Sequence, residues 1–140
     1  MASGAAHDAI RNWLEANFTA ATLYFENEDA TPPDAGLDVR WVYVEIEGDE
    51  EDQASIGGGS ADENIWRETG TIKAYVIVPV GEGVGAGNDL RDQLADALRG
   101  LQTGGVVCRR MSRVAGLSWE GNGNGNWWAL PLVVEFYRDA

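Results

Sequence analysis

The chain has 140 residues, with ten Lys and Arg against 23 Asp and Glu, and a formal net charge of −13. That length supplies one core, able to bury roughly 70% of the surface an unfolded chain would expose, and that charge excludes a field that would gather phosphates or an anionic membrane. With 44% hydrophobic residues and six Trp, the composition is too apolar for a disordered chain, so a single domain over residues 1–140 is expected.

Met1 to Trp13 has no basic region followed by an apolar stretch, so no secretory signal is expected there. Ala6, Ile10, Trp13, Leu14 and Phe18 instead recur at helical spacing behind Ser3, which predicts an N-capped amphipathic helix over residues 4–18. Glu26 to Gly36, with Asp29, Pro32, Pro33 and Asp34, reads as a connecting loop. Leu37 to Glu47 then alternates, with Val42, Val44 and Ile46 on one face and Trp41, Tyr43 and Glu45 on the other. Gly48 to Asn64 holds the acids Asp49, Glu50, Glu51 and Asp52 and a triple glycine, and is expected to form a long, mobile acidic loop.

Ile65 to Val80 resumes the alternation, setting Ile72, Ala74, Val76 and Val78 against Thr71, Lys73, Tyr75 and Ile77. Asn88 to Leu101 places Leu90, Leu94, Ala97, Leu98 and Leu101 on one helical face, with Asn88 as the expected N-cap. Val106 to Trp119 and Trp127 to Arg138 read as two strands, joined by Glu120 to Asn126, where the sequence GNGNGN accepts positive φ. The predicted order is α-β-β-α-β-β: an α+β fold with a mainly antiparallel or mixed four-stranded sheet and two helices on one face. The longest apolar run, Trp127 to Val134, is interrupted by Pro131 and falls far short of the ~20 residues of a membrane span.

Catalytic inventories come up short. The single Cys108 excludes an internal disulfide and a multi-cysteine zinc site, and fits a reducing compartment. His7 is the only histidine and has no partner nearby in sequence. The run Asp49 to Asp52 lacks the alternating ligands and central glycine of an EF-hand loop. Within the loop Gly81 to Gly87, Gly81 to Ala86 matches G-x-G-x-x-A between a strand and a helix, but Glu82 would stand beside a pyrophosphate and the acidic partner ~20 residues on is missing. No enzyme activity, metal or cofactor is expected, with a small nucleotide-binding enzyme as the distant alternative.

What remains is charge and aromatic surface. Sixteen of the 23 acids but only three of the ten bases lie in residues 1–70, and Arg109, Arg110 and Arg113 form the one basic cluster. Strand alternation puts Arg109 and Arg113 on one face and Arg110 on the other, so they make no continuous strip for DNA. They either pair with local acids or meet the acidic half of a neighbouring copy, since head-to-tail association needs two different, complementary patches. Trp41, Tyr43, Tyr75 and Tyr137, on the less apolar face, are candidates for an interface with another subunit or protein.

The stretch TGTIKAYVIVPVGEGVGAGNDLRDQLADALRG, Thr69 to Gly100, followed by strands ending in LPLVVEFYRD, resembles the tail terminator proteins of long-tailed, siphovirus-type bacteriophages. The resemblance implies a non-catalytic virion protein assembled in the host cytoplasm and sited at the tail-neck junction. It implies a ring, a homohexamer, that caps the major tail tube protein, stops its polymerisation and receives a neck or head-completion protein. DNA would pass through the lumen without specific binding. Another neck or tail-completion protein, such as a head-tail connector, is the neighbouring alternative.

Overall fold

Ser3 starts the first helix as predicted: its hydroxyl accepts a hydrogen bond from the Ala6 amide at 3.2 Å, satisfying a donor that every helix start leaves open. In the computed structural model, which describes residues 2–26, 40–55, 57–59, 64–81, 83–119 and 127–139, helix α1 (Gly4–Asn17) buries Ala6, Ala9, Ile10 and Leu14. Phe18 closes it, donating its amide to the Leu14 carbonyl. The predicted loop at Glu26 to Gly36 lies almost wholly outside the described residues, as does the predicted turn at Glu120 to Asn126.

Among the described residues six strands form one sheet, where four were expected. They are β1 (Thr22–Phe25), β2 (Trp41–Gln53), β3 (Trp66–Pro79), β4 (Val106–Arg113), β5 (Leu117–Trp119) and β6 (Trp127–Asp139). Their spatial order is β1-β2-β3-β6-β4, with β5 also on β6. All pairs are antiparallel except β1 with β2. Since β3 and β4 both oppose β6, they run parallel to each other, and helix α2 (Gly85–Arg99) carries the chain across between them.

Three differences from the expected fold have physical causes. Strand β1 is only four residues long and exists by pairing in parallel with Trp41 to Val44, a contact local patterning does not register. Val106 to Trp119 is two strands, because its pairing with β6 slips by one residue between Arg113–Leu132 and Leu117–Ala129; in that gap Gly116 lies so close to the Trp128 indole that a Cβ would stand 2.3 Å from Nε1. Asp49 to Asp52 are not loop: β2 continues to Gln53, with Glu50 opposite Thr69, Glu51 opposite Glu68 and Asp52 opposite Arg67 after a bulge between Gly48 and Glu50. The predicted long loop shrinks to a tip beyond Gln53, where the Ala54 amide still bonds the Ile65 carbonyl at 2.7 Å. Of that tip, residues 56 and 60–63 lie outside the described set.

The core forms where alternation predicts it. Val42, Val44 and Ile46, with Ile72, Ala74 and Val76, and with Leu130, Leu132, Val134 and Phe136, are buried against Ile10 and Leu14 of α1 and Leu90, Leu94 and Leu98 of α2. Gly70 permits the ladder to close beneath this layer, since a Cβ would stand 2.4 Å from the Glu47 carbonyl oxygen and 2.5 Å from the Phe136 ring. Helix α2 starts at Gly85 with Val84 as its N-cap, so Asn88 is not the cap. Its side chain instead accepts from Arg91 Nη2 at 3.0 Å. Arg91 is buried and also donates Nη1 to the Val114 and Pro131 carbonyls at 2.9 Å each, which ties α2 to the break between β4 and β5.

Candidate interaction surface

On the sheet face away from the helices, odd-numbered residues of β2 and β3 come forward. Trp41, Ile77, Trp127 and Ala129 form a second buried cluster there, packed with Tyr24, Tyr43, Tyr75 and Trp119. Trp41 is its centre: it meets Tyr24, Trp119 and Trp127 edge to face, at centroid distances of 5.4, 6.2 and 5.8 Å. This is the geometry that ring quadrupoles favour. Trp119 lies over Tyr75 at 5.1 Å and Tyr43 at 5.5 Å. The structure therefore gathers Trp41, Tyr43 and Tyr75, but Trp41 is only 3% exposed in its own chain. The half-buried Tyr43, Tyr75 and Trp119 carry the outer surface.

Sequence reasoning missed Tyr24, Trp119 and Trp127. Alternation along β6 from Trp128 was enough to turn Trp127 to this face, whereas Tyr24 and Trp119 arrive on the short strands β1 and β5. Among the described residues, no acceptor meets the buried indole N–H groups of Trp41, Trp119 and Trp127. Tyr137 does not join the cluster: it lies ten residues along β6 from Trp127, about 33 Å at a strand's rise, beneath the Arg67 guanidinium at 4.3 Å.

Between these ends the face becomes charged. Lys73 reaches Glu47 at 3.3 Å. Burial, reinforced by the neighbouring Glu47 and Glu26 carboxylates, raises the Glu45 pKa despite Lys73. Because the folded value exceeds the unfolded one, ionised Glu45 opposes folding at neutral pH, and that cost fades as pH falls through the raised value. Burial and then Glu45 also push the phenols of Tyr43 and Tyr75 upward.

The arginine cluster is divided by a β-bulge between Cys108 and Arg110. Two residues of a bulged strand oppose one on the partner, so Arg109 is the extra residue and the expected sharing of a face between Arg109 and Arg113 is broken. Arg110 is paired in register with Glu135 and reaches its carboxylate at 3.9 Å on the aromatic side. Arg113 is paired with Leu132 on the helix side and bonds Asp92 of α2 at 3.0 Å. Arg109 stays exposed.

At the far end, Asp49, Glu50, Glu51 and Asp52 are exposed on β2. Beside them, Glu68 is buried and accepts from Ser3 Oγ at 2.5 Å and the Ser3 amide at 3.2 Å. Arg138 stands 3.7 Å from the same carboxylate. Among the described residues, no three His, Cys, Asp or Glu converge as metal ligands.

The remaining candidates have structural settings. Cys108 packs against the core, and burial pushes its thiol up to about 11, well away from a reactive thiolate. His7 stands 3.8 Å from Asp8. Gly81 and Gly83 adopt φ of +91° and +84° beside a cleft of about 380 Å³, where the side chains are those of Val78, Pro79, Val80, Val84 and Trp128. Among the described residues, this lining offers a pyrophosphate no charged side chain. No helix among the described residues is long and apolar enough to cross a membrane.

No family model and no curated protein matches the sequence. Solved structures do match its fold. One chain, whose description carries no function, aligns over 96% of this chain and 95% of its own, with a TM-score of 0.58 and 20% identity. A chain from the virion of a native gene transfer agent particle aligns over 99% of this chain and 100% of its own, with a TM-score of 0.52 and 16% identity. At these identities the likeness is one of fold, and it runs from end to end of both chains.

Proposed function

We propose that this chain is a structural protein of a phage or phage-like virion, acting by assembly and not by catalysis. The observation that carries the reading is the end-to-end fold likeness to a chain of a gene transfer agent virion. Within the virion, the Thr69 to Gly100 pattern supports a tail terminator at the tail-neck junction. Copies would form a ring that caps the major tail tube protein, halts its polymerisation and receives a neck or head-completion protein. A net charge of −13 suits a lumen through which DNA slides without adhering.

The description of the gene transfer agent chain gives the particle and not a position in it, so another neck or tail-completion protein is supported by the same observation. A partner assay separates the two. The purified chain is mixed with the major tail tube protein of the same particle, and tube length and end density are followed by electron microscopy. Capped tubes of reduced length are expected for a tail terminator. Tubes that grow unhindered with bare ends would overturn that role.

A further inference from the structure

Twice on the helix-free face a tyrosine is followed two residues later by an acid, which sets both side chains on the same side of one strand. At Tyr137 and Asp139 of β6 the pair is filled. The Arg67 guanidinium lies over the Tyr137 ring at 4.3 Å and donates Nε and Nη2 to the Asp139 carboxylate at 2.7 and 2.9 Å. That bond holds the Asp139 pKa below its ordinary value. The second pair is Tyr43 and Glu45 of β2. Lys73 stands opposite Glu45 as Arg67 stands opposite Asp139, but Lys73 reaches Glu47 instead, at 3.3 Å.

Glu45 is therefore left half-buried, with no hydrogen-bond donor or ion-pair partner among the described residues. Burial and the Glu47 and Glu26 carboxylates raise its pKa, as expected for a partly desolvated charge that no cation satisfies. Beside it the aromatic surface offers ring faces. Tyr75 stands opposite Tyr43, with centroids 6.4 Å apart, and Trp119 backs both rings. Ring faces attract a cation within about 6 Å of the centroid, and a carboxylate adds charge-assisted hydrogen bonds.

We infer that Tyr43, Tyr75 and Glu45 form a receptor for an arginine side chain of a basic partner protein, stacked on a tyrosine and bonded to Glu45 as Arg67 is stacked on Tyr137 and bonded to Asp139. A planar fork that stacks and donates in pairs fits this site better than an ammonium does. The visitor comes from a different protein because two copies of this chain, each at −13, repel one another. The inference goes beyond membership of a virion and holds whether or not the chain caps a tube.

The test titrates the isotope-labelled chain, followed by NMR, with an acetylated and amidated Gly-Arg-Gly-Arg-Gly peptide, and with the same peptide carrying uncharged citrulline for arginine. Saturable shifts are expected at the amides of Tyr43, Glu45 and Tyr75 with the arginine peptide alone. Glu45→Gln folds, since ionised Glu45 opposes folding, and is expected to weaken binding about tenfold, the size of one hydrogen bond to a charged group. Tyr43→Leu is expected to weaken it about threefold through the lost ring. Asp49→Asn removes the same charge from the far part of β2 and leaves the affinity unchanged. Equal binding of the citrulline peptide, equal losses in Glu45→Gln and Asp49→Asn, or no saturable shift on this face would overturn the proposal. So would a wild-type oligomer that Glu45→Gln dissociates, because the face would then belong to a second copy. A chain that binds the peptide yet leaves tail tubes uncapped would refute tail capping and leave the arginine site standing.

Discussion

The Ser3 hydroxyl accepts from Ala6 and donates to the buried Glu68 carboxylate, so one side chain fixes both the start of α1 and a charge beneath the β2–β3 ladder. Directly opposite Glu68 stands Glu51, and facing like charges destabilise a sheet unless compensated. Ser3 and Arg138 supply that compensation. Ser3→Ala is expected to cost about 1–3 kcal/mol, from the lost cap and from a buried carboxylate that loses a donor. The loss is read as a lower urea midpoint at neutral pH. A change within a few tenths of a kcal/mol would mean that Arg138 and the backbone amide of residue 3 satisfy Glu68 without the hydroxyl.

At the scale of elements, what the sequence discloses is whatever one chain segment settles by itself. Both helices, the alternation of β2, β3 and β6, and the common face of Trp41, Tyr43 and Tyr75 follow from period and burial. Strand β1 does not, because its four residues become a strand only beside β2. The acidic run Asp49 to Asp52 has poor β-propensity, yet it is drawn into the ladder by Trp66 to Thr69 across from it, as tertiary context commonly decides for strands. The bulge that separates Arg109 from Arg113 is likewise a property of two strands and not of one. The consequence is testable by deletion. Replacing residues 56–63 with a short turn leaves the paired β2–β3 ladder intact and is expected to leave stability nearly unchanged. Removing Asp49 to Ser60 eliminates the outer ladder pairs, and with cross-strand pairs worth roughly 0.2–1 kcal/mol each it should cost about 1–4 kcal/mol. Equal urea midpoints for the two deletions would mean that the outer ladder contributes nothing to the fold.

For the whole molecule, net charge works against the compact state. Within a copy, 23 acids face ten bases, so even complete pairing leaves thirteen acids repelling one another. Exposed ion pairs such as Arg11–Glu15 and Arg67–Asp139 are each worth about 0–1 kcal/mol, too little to offset a repulsion summed over the molecule. Salt that shortens the screening length to ~10 Å at about 0.1 M should therefore stabilise the isolated chain. The chain, held dilute, is expected to gain about 2–5 °C in Tm as salt rises from low to physiological ionic strength, read by calorimetry. A falling Tm would show that the ion pairs within a copy outweigh its net charge.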